Sequence, residues 1–183
     1  LAEVADLSQT ADIDKLIEHI ESHWGAIDVL VNNAGGPPPG EHTALEDEHW
    51  EKAFDLTLRS AVRVTNRVLP GMKKNGHGRI INLSSYSVKQ PMPRMMLSNS
   101  LRLAVLGWAK TLSNELAADN ILVNTICTGW TRTQRVDQLL KARATAEGVT
   151  VEDIANAITA MIPLKRMAQP EEIAAVALFL ASP

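Results

Sequence analysis

The chain is poor in the residues that would commit it to several classes. It has one cysteine, Cys127, so it forms no internal disulfide and suits a reducing, cytoplasmic setting. It has one tyrosine, Tyr86, and aromatics make up only 4% of the residues. No apolar run approaches the ~20 residues of a membrane span. No basic-then-apolar start reads as a signal peptide. Lysine and arginine are scattered at a net charge of −3, whereas nucleic-acid binding needs clustered cations. There is no internal repeat, low-complexity tract or interdomain linker, and Pro37-Pro38-Pro39 is too short for a spacer.

What is present is enough apolar material for a core. Of 183 residues, 45% are apolar and 21% charged, which fits one globular domain over 1–183. The chain is organised around Gly78 to Glu115. A short apolar strand, Arg79-Ile80-Ile81-Asn82-Leu83, ends in Ser84, Ser85 and Tyr86. A helix follows, with Leu97, Leu101, Ala104, Val105, Trp108 and Leu112 at three- and four-residue spacing on one face. A buried strand that ends in polar residues and feeds a helix is how open α/β sheets build ligand sites.

The other elements read in the same way. Leu1–Leu7 is a predicted strand, with Ser8 or Thr10 capping a helix whose stripe is Ile13, Leu16, Ile17, Ile20 and Trp24. His19 and His23 lie four apart on that helix, but no third ligand is near, so they read as a solvated face and no metal is expected. Ile27–Val31 is a predicted buried parallel strand running into Asn32-Asn33-Ala34-Gly35. Small residues there admit close approach to the backbone, or simply make a turn. Thr43-Ala44-Leu45-Glu46 reads as a capping box opening a helix that Pro70 and Gly71 close. Ile121–Ile126 is a third strand. Helices are predicted over Gln134–Glu147, after a Thr150/Asp153 cap, and from Pro170 at a first helical position. The chain opens on Leu1 inside a strand pattern and stops without a closing strand, so the sheet is expected to lack its first strands and its last.

Asn-Asn-Ala-Gly after one strand, serine after the next, Gly107–Glu115, Gly129–Thr133 and the Pro163–Ala174 stretch together resemble the short-chain dehydrogenase/reductases. The resemblance runs over nearly the whole chain. It implies a Rossmann-like doubly wound parallel α/β sheet and oxidoreduction of a carbonyl or alcohol, in the manner of a 3-oxoacyl reductase, with NAD or NADP. It also implies that Asn33, Ala34 and Gly35 line the cofactor while Asn32 braces the sheet. Asp6 and Leu7 fall where the family contacts adenine, and Gly129 and Thr133 fall beside the nicotinamide. Ser85 matches the carbonyl-polarising serine. Thr57 occupies the slot of an asparagine thought to hold a relay water.

The departure from the family lies on the helix. Aligning Gly107, Lys110 and Glu115 places Ser98 where the family has tyrosine and Arg102 where it has lysine. Serine is a far weaker acid than a phenol, and a guanidinium holds ribose hydroxyls but does not deprotonate. Tyr86 follows Ser85 directly, but strand alternation would turn it away. No Gly-x-x-x-Gly-x-Gly is present to cradle a pyrophosphate at a helix start. Two readings therefore stand: an oxidoreductase with an atypical pair acting on a small molecule, or a catalytically dead relative that binds nucleotide or partner subunits. The resemblance also implies a homodimer or homotetramer through helices 43–69 and 97–118.

Overall fold

The computed structural model describes residues 2–183. The elements are α1 (Thr10–Trp24), β1 (Val29–Asn32), α2 (Asp47–Phe54), a π turn (Asp55–Arg59), α3 (Ser60–Asn75), β2 (Gly78–Ser85), α4 (Met96–Leu116), β3 (Ile121–Thr128), α5 (Gln134–Glu147), α6 (Val151–Met161) and α7 (Pro170–Ala181). They fall into two compact units. One comprises residues up to Cys127 with Leu180–Pro183, and the other Thr128–Phe179.

The first unit holds the sheet, in the order β1-β2-β3. β1 pairs with β2 in parallel, from Val29 beside Arg79 to Asn32 beside Asn82. Parallel neighbours need a long crossover, which α2, the π turn and α3 supply. Ile13 and Ile17 of α1, Val64, Val68 and Met72 of α3, Ile80 of β2, Leu116 of α4 and Ile121 of β3 form one buried cluster. Alternation along β1 leaves Val29 and Val31 on an open face, so this strand is not buried on both sides as its apolar run predicts.

The helical segment after β1 differs from its sequence reading in three ways. Glu46, not Thr43, starts α2; its N–H donates to His49 Nδ1 at 3.1 Å, while His42–Ala44 form a 3-10 turn. Pro70 lies inside α3, which runs on to Gly76 in the left-handed region (φ 62°). An interior proline costs ~3 kcal/mol. Val68 and Met72, both fully buried on either side of it, each return ~1.5–3 kcal/mol by burial.

The third difference is the π turn. Buried Ala53, Thr57, Ala61 and Thr65 step by four residues. In an α-helix each such step overshoots a full turn by ~40°. A π turn closes on the fifth residue back and rotates less per residue, so the stripe stays on one side.

The predicted first strand is not one. Ala2–Asp6 take no regular structure, and Leu1 is outside the described residues. Asp6 instead builds a turn: its carbonyl accepts from Gln9 N–H at 2.9 Å, its Oδ1 accepts from Ser8 N–H at 2.9 Å, and its own N–H donates to Asp12 Oδ2 at 3.0 Å. No strand among the described residues lies beside it to offer a ladder. Gln9, rather than Ser8 or Thr10, precedes α1 and gives no side-chain cap. Trp24 is 66% exposed and has left the stripe.

In the second unit α5 runs from Gln134 to Glu147 as its pattern predicts. Thr150 and Asp153 cap α6 reciprocally, and Pro170 opens α7. Leu140, Ala144, Ile154, Ile158 and Met167 form its small core. Arg132 N–H donates to Ala168 O and Ala168 N–H to Trp130 O, both at 2.9 Å, tying the start of the unit to the turn before α7.

Candidate functional site

Residues from five segments of the first unit surround a cavity of about 330 Å³ beside β1 and β2. Its apolar wall is α1 and β1. Its polar end is built by Asn32 at the end of β1 and Asn33 after it, Thr57 in the π turn, Asn82 and Ser84 of β2, and Arg102 of α4, with Ala34 and Leu7 nearby. The site thus lies at strand carboxyl ends, where open parallel sheets place ligands.

The polar end is held by a side-chain network. Asn32 Nδ2 donates to Asn82 Oδ1 at 2.9 Å and to Thr65 Oγ1 at 3.3 Å, and Asn82 Nδ2 reaches Asn124 O at 3.5 Å. These bonds lock the ends of β1 and β2 to α3, so Asn32 does brace the sheet. Asn82 and Thr65 were not singled out in the sequence. Their signal was the polar interruption of a buried apolar strand and of a helix stripe.

Arg102 donates from Nη1 to the Leu83 carbonyl at 3.0 Å. That bond fixes the base of the guanidinium against β2 and keeps its charge at the cavity wall. Ser85 Oγ accepts the Ser87 N–H at 3.1 Å, so its own hydroxyl proton is free to point elsewhere. This bond caps the 3-10 turn Tyr86–Val88. Tyr86 therefore belongs to a turn, and strand alternation does not govern its direction. Ser98 is buried one helical turn before Arg102, and Ser84 rather than Ser85 lines the cavity.

Thr57 is buried and its Oγ1 finds no partner. An unpaired buried hydroxyl costs about 1–3 kcal/mol, which makes it a site in need of an explanation. A Cβ built on Gly35 would meet nothing within 4 Å, so the space over that backbone is open. Open backbone at Gly35, Asn33 and Ala34 at the rim, a fixed cation at Arg102 and a spare hydroxyl at Thr57 suit the ribose and amide end of a nicotinamide dinucleotide. A pyrophosphate cradle is not among these residues.

The remaining candidates lie apart in role. The carboxyl of Asp6 sits below its ordinary value because Ser8 hydrogen-bonds it, so this group serves a turn. In the second unit Thr133 Oγ1 accepts the Val136 N–H at 3.3 Å as the cap of α5, and the Gly129 carbonyl accepts from Thr131 Oγ1 at 3.2 Å. His19 pairs with Glu3 at 2.7 Å, and no cluster of metal ligands occurs among the described residues.

A family model described as enoyl-(acyl carrier protein) reductase matches residues 2–183. The chain belongs to the short-chain dehydrogenase/reductase family. A protein of Streptomyces virginiae named as a monensin polyketide synthase ketoacyl reductase is 36% identical over 182 residues, 98% of this chain and 70% of the relative. A 3-oxoacyl-(acyl-carrier-protein) reductase of Thermotoga maritima is 34% identical over 180 residues, 98% of this chain and 68% of its own. A crystal structure of an actinorhodin polyketide ketoreductase variant with NADPH superposes with a TM-score of 0.94 at 33% identity, covering 99% of this chain and 70% of that one. The fold of this short-chain dehydrogenase/reductase is accordingly α/β with a parallel sheet of the Rossmann-like kind.

Proposed function

We propose that this chain is an NAD(P)-dependent reductase of 3-oxoacyl-like carbonyls, working with Ser98 and Arg102 in place of tyrosine and lysine. The observation that carries the reading is the shared cavity of Arg102, Asn33, Ala34 and Thr57 at the carboxyl ends of β1 and β2. The dinucleotide, when bound, supplies or takes up the hydride. The chain's own residues do the rest. Asn33, Ala34 and Gly35 form the floor, and Arg102 holds ribose hydroxyls through its fixed guanidinium. Ser85, its oxygen already taken by the Ser87 N–H, donates its proton toward the substrate oxygen. Reduction of a carbonyl leaves an alkoxide that needs a proton. Ser98 stands where relatives keep a phenol, and its aliphatic hydroxyl is a poor acid. General acid help is worth ~10²–10⁴-fold, so turnover is expected to be slow by that order.

The absence of tyrosine and lysine from these two positions favours a second reading, a relative that binds dinucleotide without turning it over. Oxidation of NAD(P)H against a panel of ketones and 3-oxoacyl thioesters separates the two: cofactor binding without oxidation selects the second. The double variant Ser98→Tyr, Arg102→Lys is expected to raise turnover at least tenfold. No gain would show that these positions are not the catalytic pair. We assign the substrate to the small-molecule class, place the chain in the cytoplasm on its single cysteine, and expect the helical stretches 43–69 and 97–118 to pair across subunits of a homodimer or homotetramer.

A further inference from the structure

We propose that Ser60 is a positioning residue of the candidate site: its hydroxyl holds the π turn that presents Thr57 to the cavity. The inference rests on reading that cavity as the reductase site. In the turn the helix ladder slips by one residue, and the Ser60 N–H bonds the Asp55 carbonyl, five back. The Leu56 carbonyl, which that N–H would take in an α-helix, is left over. The Ser60 hydroxyl donates to it instead. Ser60 is only 2% exposed, so water has little access to take its place.

Three hydroxyls on this helix are buried and divide the work. Ser60 satisfies the orphaned carbonyl, and Thr65 accepts from Asn32. Thr57 alone of the three has no partner, and it lies within the slipped turn and lines the cavity. If the ladder closed back to α spacing, the segments on either side would change phase, and Thr57 would turn away from the side shared with Ala53, Ala61 and Thr65. Holding the slip open therefore keeps Thr57 facing the site. Sequence periodicity does not separate Ser60 from an ordinary small contact residue. Only the shifted ladder does.

The test uses the whole chain with Ser60→Ala, Ser60→Thr and Ser60→Val. Amide hydrogen exchange is followed by mass spectrometry, with peptides over 55–61 compared with peptides over β2. Ser60→Ala should speed exchange over 55–61 about tenfold, the scale of one lost hydrogen bond, and leave β2 unchanged. Ser60→Thr keeps a hydroxyl able to bond the carbonyl four residues back and should restore protection; Ser60→Val, nearly its isostere, should not. Equal exchange in the Thr and Val variants overturns the proposal, even where alanine loosens the core. In kinetics Ser60→Ala should lower kcat about tenfold with KM for NAD(P)H unchanged; faster exchange with kcat intact overturns the positioning role. A parent chain that oxidises no NAD(P)H defeats the reductase reading. The exchange comparison then still decides whether Ser60 holds the turn.

Discussion

Single side chains in this molecule are placed by what they must satisfy. Asn82 shows this at the site, and Glu172 shows it in the second unit. Glu172 takes two bonds from Arg166, at 2.7 and 2.8 Å, and one from the Gln169 N–H at 2.7 Å. The Arg166 bonds, then the Gln169 N–H, hold its carboxyl down from 4.5 to about 2. A depressed carboxylate stabilises the fold above its unfolded value and loses that contribution as pH falls through the folded one. Denaturant titrations of Glu172→Gln should match the parent below about pH 2 and fall short of it above pH 4.5. The pair is solvent-exposed, so the shortfall is expected to be small and to shrink in salt. At this scale the resemblance singles out Asn33, Thr57 and Arg102, and the fold gathers these three around one cavity. The sequence marked Ser84 only as part of a polar strand end and gave no role to Asn82 or Ser60, because a hydroxyl or amide in an apolar run shows no partner until the neighbouring strand or turn is in place.

Elements follow local rules where their ends are chemically marked. α5 spans the Gln134–Glu147 pattern, and α6 and α7 begin where Thr150 and Pro170 predict, since a cap and a first-turn proline act within a few residues. Segments governed by distant packing were not legible. Pro70 reads as a stop, yet α3 continues because Met72 has a core to fill. Leu1–Leu7 reads as a strand, yet residues 2–6 take no regular structure, and no strand among the described residues lies beside them. The π turn hid in four-residue spacing that resembles ordinary amphipathicity. The junction of α3 and β2 is tight. A Cβ on Gly78 would sit 2.7 Å from Met72 Sδ and 3.1 Å from Ile121 Cγ2. Gly78→Ala is therefore expected to cost about 1–3 kcal/mol in urea unfolding, from overpacking between two fully buried side chains. The companion Gly78→Ala, Met72→Leu should recover part of that loss by withdrawing the sulfur.

For the molecule as a whole, each compact unit carries its own buried cluster. The first gathers Ile13, Val68, Met72, Ile80 and Ile121 from helices and strands, and the second, smaller one gathers Leu140, Ala144, Ile154, Ile158 and Met167. Ile80 and Ile158 are almost wholly buried. Ile80→Ala and Ile158→Ala are each expected to cost about 2–5 kcal/mol in urea unfolding, the range for truncating a buried isoleucine. A cost below about 1 kcal/mol for either would show that its cluster does not hold its unit.

The asparagine clasp that joins β1, β2 and α3 also decides which corner of the first unit lets go last. In heavy water the amides around Asn32 and Asn82 should be among the slowest to trade their protons.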